Sequence, residues 1–406
     1  MGLMGEDLFD EIFPGPMLRP VPVQSIGSGF LIHPGGYIVT NAHVVRRAQE
    51  IHVTLSDKTS HDALVIAADT QHDLAVLRIR PPDKGPMPFL PLGRSDDLMV
   101  GETVFAIGNP MGLANTLTSG LVSALDRTVE FRADVRYPGL IQIDAPINPG
   151  NSGGALLNVR GQLIGVNTAI RADAQNIGFS VPVDTLIQDL PSLLDFERLH
   201  RVVFGAQVTS RHTAVGDEVL VQAVTPGAPA GKALQAGDRV VAVNGSPVAQ
   251  IPDYSCAMMG LPADVPVELT VIRAGKTLTA KIALTARAKP DGAALAKKML
   301  GATVQSVTPE LARTHRLPLT TGLLVTGLDA GGPAQQIGMQ AGDILFEIDG
   351  LRVSGVDDAG RALEDAPAGK ILRIGVARGN IRAWVNLQAG AGATPKPSAR
   401  SGASDI

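Results

Sequence analysis

Apolar residues in the first half of the chain occur in short blocks that are separated by turn residues. Residues 51–55 alternate between apolar and polar, which is typical of a half-buried strand. Residues 63–67 and 74–79 are nearly continuous apolar runs, which are typical of buried strands, and residues 37–40 predict a further strand. The sequence HPGG at residues 33–36 predicts a tight turn between two strands. The pattern therefore predicts a protein built from many short β-strands.

The same style continues to about residue 183. A glycine-rich entry and short apolar runs predict further strands within residues 27–32, 100–109, 116–125, 140–144, 156–170 and 176–183. Residues 184–196 have a helical pattern, and we expect this helix to be interrupted near Pro191. It closes the strand-rich half of the chain.

The second half of the chain repeats itself. QAGDRV at residues 235–240 recurs 105 positions later as QAGDIL at residues 340–345. In the same register, VNG at residues 243–245 recurs as IDG at residues 348–350. A repeat of this length indicates a duplicated domain rather than a short solenoid unit.

Composition limits the possible functions. The chain has 406 residues, 45% hydrophobic and 18% charged, and its length favours two to three domains. The net charge of −4 provides no basic excess for binding nucleic acid. Cys256 is the only cysteine, so no internal disulfide is possible, and we expect it in the core. No apolar run could span a bilayer, and no P-loop, metal-ligand spacing or dinucleotide motif implies a cofactor or a metal.

A serine among glycines, GNSGG at residues 150–154, has the setting that a nucleophilic hydroxyl needs. Glycines permit a tight turn and bring backbone N–H groups close to a reacting carbonyl. Ser152 needs a base, and His43 is the candidate because imidazole titrates near neutral pH and this histidine follows a β-rich run. Asp73, at the start of an apolar run, would accept the other imidazole N–H, and Asp69 is its nearest rival. The order His, Asp, Ser is that of chymotrypsin-like proteases.

Five ordered motifs resemble those of the HtrA/DegP family of proteases, from about Phe9 to about Leu387. They are GSGF at 27–30, TNAHVV at 40–45, DLAVL at 73–77, GNP at 108–110 and GNSGG at 150–154. The resemblance implies a mainly β fold, in which a chymotrypsin-like double β-barrel is followed by two α+β PDZ domains. It also implies two six-stranded barrels with the catalytic site between them.

The resemblance divides the chain into five expected ranges. These are a partial N-terminal loop segment at 1–20, a trypsin-like serine protease domain at 21–198, PDZ domain 1 at 199–287, PDZ domain 2 at 288–389 and a disordered tail at 390–406. Residues 289–295 are predicted to be a linker. Residues 1–20 lack a secretory h-region and resemble a loop that follows the first barrel strand in the family. We therefore expect the signal segment and the first strand to be missing, through a misassigned start or a truncated chain, with the first barrel incomplete.

The resemblance implies that the backbone N–H groups of Gly150 and Ser152 form the oxyanion hole. Asn151 stands where digestive trypsin-like enzymes have an aspartate that pairs with a newly formed N-terminus. Because Asn151 carries no charge, we expect control by loop rearrangement rather than by that ion pair.

The substrate pocket is expected to be shallow and aliphatic. The segment before the nucleophile has no acidic residue that would bind lysine or arginine. Ile147, Ile177 and Ser180 are the candidate pocket residues, and the residue before the cut would be Val, Ala, Ile or Leu. The alternative is that the two isoleucines simply belong to the core.

Each repeat begins with a candidate carboxylate-binding loop. The resemblance implies that backbone N–H groups of such a loop bind a peptide C-terminus while the adjacent strand pairs with the peptide. The two loops are Phe204, Gly205 and Ala206, and Leu300, Gly301 and Ala302.

The expected function is that of an ATP-independent serine endopeptidase of protein quality control, without cofactors. The resemblance implies misfolded or damaged proteins as substrates, hydrophobic C-terminal peptides as ligands, a trimer-based homo-oligomer and a location in the periplasm or cell envelope. One alternative is a non-catalytic PDZ scaffold or chaperone, which a missing first strand would favour. Another is a different trypsin-like hydrolase with PDZ appendages.

Overall fold

A computed structural model describes residues 26–390, apart from residues 47, 49, 82–84, 110–115, 133–134, 149, 171–175, 214–215, 263, 365, 367 and 380. The predicted N-terminal loop segment and the predicted tail, except Gly390, lie outside the described residues. The chain divides into two compact units, Met1–Arg287 and Ala288–Ile406. In the described part of the chain, no helix has both the length and the apolar character needed to cross a membrane.

The first unit begins with a five-stranded antiparallel sheet of order β1-β2-β5-β4-β3. Its strands are β1 (Phe30–His33), β2 (Tyr37–Thr40), β3 (His52–Thr54), β4 (Ser60–Asp69) and β5 (Leu74–Ile79), with helix α1 (Ala42–Val45) after β2. The apolar run at residues 74–79 forms the buried strand β5, and β2 is buried as well, because both faces of these strands are covered. The prediction of a buried strand at residues 63–67 is wrong: this run lies in β4, where Leu64 is 72% and Val65 is 45% exposed because the described residues leave these side chains uncovered. The described residues give five strands here, instead of the six that the resemblance implies for a complete barrel.

A closed six-stranded barrel follows, as the resemblance implies. Its strands, in the order β10-β11-β8-β7-β6-β9, close on themselves. They are β6 (Thr103–Gly108), β7 (Thr116–Arg132), β8 (Val135–Ile143), β9 (Ala155–Leu157), β10 (Leu163–Ile170) and β11 (Gly178–Pro182). The turn between β8 and β9 carries Ser152.

Two helices leave the barrel, α2 (Val183–Leu193) and α3 (Phe196–His200). The predicted interruption lies at Leu194 and Asp195 rather than at Pro191, because α2 continues through this proline to Leu193 and α3 begins at Phe196. Proline removes one backbone donor, but it stands in the last turn, where the Leu194 N–H still bonds to the Leu190 carbonyl. The buried apolar face of α2 holds the helix on the barrel.

The first repeat forms a six-stranded sheet, in which β13-β14-β15-β17-β18 follow one another in this order and β13 is an edge strand. Its elements are β12 (Val202–Val203), β13 (Ala206–Thr213), β14 (Gly216–Val224), a 3₁₀ turn (Pro229–Lys232), β15 (Arg239–Val243), β16 (Ser246–Pro247), α4 (Ile251–Met259), β17 (Val267–Arg273), β18 (Lys276–Ile282) and β19 (Thr285–Ala286). The short strands β12 and β19 pair with each other and β16 pairs with β15.

One hydrophobic cluster joins the two halves of the first unit, from Phe30 in β1 to Ile282 in β18. Helix α4 contacts both α2 and β1. Phe196 of α3 packs edge-to-face on Phe204, with 5.6 Å between the ring centroids. Cys256 on α4 is buried and free, as predicted, and burial raises the pKa of its thiol. The site-bearing half and the first repeat therefore share a core.

The second unit repeats this arrangement with a sheet of order β20-β21-β22-β24-β25. Its elements are α5 (Gly292–Leu300), β20 (Ala302–Ser306), α6 (Pro309–Thr314), β21 (Leu323–Leu328), α7 (Pro333–Gln336), β22 (Ile344–Ile348), β23 (Leu351–Arg352), α8 (Val356–Leu363), β24 (Ile371–Arg378) and β25 (Ile381–Gln388). The predicted linker at residues 289–295 is wrong in its second half. Helix α5 begins at Gly292 because the Asp291 side chain caps it through the Ala294 N–H and its apolar face, with Ala296, is buried.

Candidate active site

Ser152 lies in a tight turn that two glycines make possible. Gly153 has a φ of +83°, and a Cβ there would overlap the Ser28 carbonyl and the Thr40 hydroxyl. The Gly153 N–H donates to the carbonyl of Asn167 on β10 at 2.7 Å. The nucleophile turn is therefore pressed against the first sheet on one side and bound to the barrel on the other.

His43 and Asp73 are brought together by the first sheet. His43 lies on α1, directly after β2, and Asp73 directly precedes β5 with a φ of +56°. The His43 Nδ1 is 2.8 Å from Asp73 Oδ2, and the His43 backbone N–H donates to Asp73 Oδ1 at 3.0 Å. Asp73 is only 1% exposed. With the proton on Nδ1, His43 Nε2 is free to act as an acceptor.

Thr168 also contacts Asp73, and the sequence pattern did not predict this contact. Its hydroxyl donates to Asp73 Oδ2 at 2.5 Å, and its side chain is buried on β10. The Asn41 side-chain amide donates to the Asp73 carbonyl at 2.9 Å. A buried carboxylate that receives several hydrogen bonds holds a fixed orientation, so His43 has a fixed partner.

The Ser152 hydroxyl donates to the carbonyl of Thr168 at 3.1 Å. In the part of the chain that the structure describes, no hydrogen bond joins Ser152 Oγ to His43. The structure therefore has His43 paired with Asp73 and the Ser152 hydroxyl turned towards β10. Rotation of the Ser152 side chain towards His43 Nε2 is the motion that base-assisted attack requires.

Ser28, in the GSGF motif, connects the first sheet to the nucleophile turn. Its hydroxyl donates to the Gly150 carbonyl at 2.6 Å and accepts from the Asn109 N–H at 2.7 Å. Its own backbone N–H donates to the Ser152 carbonyl at 2.8 Å. One serine thus binds the peptide group before Asn151 and the peptide group after Ser152.

The predicted oxyanion donors lie in this same turn. Gly150 is buried with a φ of +98°, and its carbonyl faces Ser28. Among the described residues, none accepts a hydrogen bond from the Ser152 N–H, which leaves that donor available to a substrate oxygen. Pro149 lies outside the described residues, so the peptide that carries the Gly150 N–H is not described.

Asn151 is buried against the barrel. It is 1% exposed and packs so closely on Gly108 that a Cβ at that glycine would overlap it. Its Oδ1 has no hydrogen-bond partner among the described residues. An uncharged side chain suits this position, because a carboxylate here would need a cationic partner.

The three predicted pocket residues lie at different depths. Ile147 is 8% exposed and lies beside Gly178, where a Cβ would come within 2.7 Å of the Ile147 side chain. Ile177 is half-buried at the start of β11. Ser180 is 0% exposed and donates to the Asn167 side chain at 2.9 Å, below the surface. The pocket roles of these residues stay predictions.

Asp69, the rival of Asp73, has a different set of partners. Its Oδ2 lies 2.9 Å from His72 Nδ1, and Asp189 of α2 approaches the same nitrogen at 2.7 Å. Within the described residues this is the one group whose ligand atoms, all within 4.8 Å of one another, could hold a metal ion. Burial, aided by the charge of Asp69, raises the pKa of Asp189, and His72 opposes that shift. Both carboxylates already have the same hydrogen-bond partner, His72 Nδ1.

The two predicted carboxylate-binding loops differ in their contacts. In the first, Phe204 is fully buried, and the Gly205 N–H donates to the side chain of Glu197 at 2.8 Å. In the second, Leu300 ends α5, and the Gly301 N–H bonds to backbone carbonyls of that helix, including Lys297 at 3.1 Å. The predicted ligand roles of both loops, including Ala206 and Ala302 at the starts of β13 and β20, stay predictions.

Comparison with known proteins gives three family matches along the chain. A trypsin-like peptidase domain matches residues 27–166, and a PDZ domain matches residues 202–284 and again residues 324–378.

Several relatives match most of the chain. A probable periplasmic serine endoprotease, DegP-like, from Chlamydia pneumoniae is 36% identical over 401 residues, which cover 94% of this chain and 80% of the relative. The periplasmic pH-dependent serine endoprotease DegQ of Escherichia coli K12 is 33% identical, covering 88% of this chain and 79% of the relative. A solved HtrA-type protease AlgW with decapeptide aligns at 26% identity and a TM-score of 0.40, covering 94% of this chain and 90% of that one.

Proposed function

The chain belongs to the HtrA/DegP family of serine endoproteases with PDZ domains, and from this premise we propose that it hydrolyses misfolded or damaged proteins through Ser152, His43 and Asp73. The observation that supports these residues most strongly is the pairing of His43 Nδ1 with the buried Asp73 at 2.8 Å, which leaves Nε2 to act as the base.

In the proposed mechanism, the Ser152 hydroxyl first leaves the Thr168 carbonyl and donates to His43 Nε2. Ser152 Oγ attacks the substrate carbonyl while His43 takes its proton, and Asp73 stabilises the imidazolium that forms. The tetrahedral oxyanion binds the N–H groups of Gly150 and Ser152. His43 then gives its proton to the leaving amine, and water, activated by the same base, hydrolyses the acyl group on Ser152.

The proposed cleavage preference is for small or branched aliphatic residues before the cut. Ile147 and Ile177 are apolar, and Ile147 narrows the space beside Gly178. An apolar pocket without a carboxylate discriminates against lysine and arginine, because their charge would lose its hydration there. Aliphatic side chains become accessible when a protein unfolds, so this preference suits quality control.

The first PDZ domain is proposed to bind hydrophobic C-terminal peptides and to regulate the protease. Strand β13 is an edge of its sheet, so a peptide strand has unpaired backbone groups to bind. Helix α4 of this domain also contacts α2, which packs on β10 and β11 of the barrel. Helix α2 also contacts β13 itself, so these contacts connect the strand proposed to bind the peptide with β10, the strand that carries Thr168.

Location and assembly are proposed from the family alone. The relatives are named periplasmic, and we extend this location to the present chain. A trimer-based homo-oligomer is likewise proposed, with mass measurement in solution as its test.

Casein hydrolysis by the full chain and by its Ser152→Ala variant tests the proposed activity. The chain should degrade casein without ATP or metal, and the variant should be inactive while remaining folded. Equal rates in both samples would assign the activity to a contaminant and would favour the alternative of a non-catalytic PDZ scaffold.

A further inference from the structure

The carboxylate-binding loop of the first PDZ domain already holds a carboxylate from its own chain. The Gly205 N–H donates to Glu197 Oε1 at 2.8 Å. Gly205 has a φ of +83°, and a Cβ there would overlap the Ala228 side chain, so only glycine fits this close turn. The chain thus places an acidic side chain where the loop is expected to receive the end of a peptide.

The position of Glu197 is fixed by the short helix that carries it. In α3, the Asp195 side chain caps the Arg198 N–H at 3.1 Å, and His200 Nε2 lies 3.3 Å from the Met259 carbonyl at the end of α4. Phe196 packs on Phe204 of the loop itself. Helix α3 is therefore held beside the end of α4, and its Glu197 reaches the loop without displacing backbone.

We propose that Glu197 is an internal occupant of this loop, and that a peptide C-terminus binds by displacing its carboxylate. This inference rests on the proposed peptide-binding role of the first PDZ domain. The two carboxylates cannot share the site, because both are anionic and both require the Gly205 N–H.

Replacement of the Glu197 carboxylate by a peptide carboxylate is favourable when the peptide makes further contacts with the domain. Glu197 is half-buried, so its side chain can turn towards solvent without unfolding α3. A peptide supplies what Glu197 lacks, namely strand pairing with the edge of β13 and an apolar last side chain. Glu197 therefore sets a minimum binding free energy for a ligand of this loop. A carboxylate without further contacts does not gain enough binding free energy to displace Glu197, whereas the carboxylate of a hydrophobic peptide strand does.

The second PDZ domain provides a contrast within the same chain. There, the Gly301 N–H bonds to the backbone carbonyls of Ala296 and Lys297, which close the end of α5. A ligand could take this N–H only if the last turn of α5 opened. Competition by a side chain is thus a property of the first domain alone.

The test measures peptide binding to the full chain carrying Ser152→Ala. The probe is an unstructured octapeptide that ends in Ala-Leu-Val and is prepared with either a free or an amidated C-terminus. Glu197→Ala should tighten binding of the free-carboxylate peptide by about 10- to 100-fold, the value of a hydrogen bond to a charged group. Glu197→Gln, which keeps the size of the side chain, should tighten it by about 2- to 5-fold. Glu310→Ala, in the first turn of α6, is the matched control and should change nothing. The amidated peptide should bind weakly and equally to all variants.

Each outcome is decisive. Equal or weaker binding to folded Glu197→Ala and Glu197→Gln would overturn the competition and make Glu197 a support of the loop. Absence of binding to every variant would overturn the proposed carboxylate role of the loop itself, and the competition with it.

Discussion

Thr168 contacts both ends of the catalytic group, because its carbonyl accepts from the Ser152 hydroxyl while its own hydroxyl donates to Asp73. The two hydrogen bonds measure 3.1 Å and 2.5 Å. The main chain of one residue on β10 therefore orients the hydroxyl, and its side chain orients the carboxylate that fixes His43. We therefore expect Thr168 to act by positioning Ser152 and Asp73.

Thr168→Val should lower kcat on the order of 10- to 100-fold with KM within about twofold, because Asp73 loses a charge-assisted donor. Thr168→Ser keeps the hydroxyl and should recover most of the activity. Steady-state kinetics on a reporter peptide measure both variants. A Thr168→Val enzyme with unchanged kcat would show that His43 and the backbone suffice to hold Asp73.

Ser28→Ala should lower kcat by about 10- to 100-fold, because the Gly150 carbonyl loses its donor and the oxyanion loop loses its anchor. KM and the melting temperature should change little, since the Ser28 backbone N–H still bonds to Ser152. Ser56→Ala, at an exposed turn, is the control. A rise in KM at constant kcat would mean that Ser28 acts on substrate binding instead.

Cleavage sites in an unfolded protein should show Val, Ala, Ile or Leu before the cut. Ile147→Ala removes the side chain beside Gly178, so the ratio of kcat/KM for Phe over Val should rise about tenfold or more. Val159→Ala, at an exposed position, should leave the ratio unchanged. Mass spectrometry of the products gives the test, and dominant cleavage after lysine or arginine would refute the aliphatic pocket.

The duplicated domains contain the same ion pair, in which the carboxylate is buried and the arginine is partly exposed. Asp238 receives two hydrogen bonds from Arg273, and Asp343 receives two from Arg378 at the equivalent positions. Burial acts to raise the pKa of each carboxyl, but the arginine holds it below its usual range. A lowered pKa in the folded state stabilises the fold above the unfolded pKa of about 4, and this contribution is lost as the pH falls through the folded pKa.

Asp238→Asn should therefore lower the melting temperature by about 5 °C or more at pH 7, and the difference from the parent chain should shrink below about pH 4. Calorimetry across this range measures both effects, with exposed Asp264→Asn as the control. A difference that stays constant down to low pH would show that charge on Asp238 does not contribute.

Local motifs were sufficient to predict His43, Asp73 and Ser152, because each lies in a short stretch whose residues serve the same site. Thr168 and Ser28 could not be predicted in this way, since each acts on a residue about a hundred positions distant and its role depends on tertiary packing. Ser28 did lie in a quoted motif, GSGF, and that was the available signal. Similarly, the repeated QAGD motif drew attention to Asp238 and Asp343, but their arginine partners lie 35 residues later.

The strand pattern predicted most of the β-structure, whereas two boundaries failed for physical reasons. A proline in the last turn of α2 costs a single hydrogen bond that buried side chains offset, so it did not interrupt the helix. Likewise, residues 292–295 were predicted to be part of a linker, because their alanines show little hydrophobic periodicity. The Asp291 cap and the packing of α5 on α8 make them helical.

The central claim is that Ser152, activated by His43, is the nucleophile. Treatment of the full chain with a fluorophosphonate reagent, followed by peptide mass spectrometry, tests it most directly. The reagent should modify Ser152 and no other serine, and His43→Ala should abolish the labelling while the protein stays folded. Labelling at a different serine, or equal labelling of Ser152 in the His43→Ala variant, would contradict the assignment.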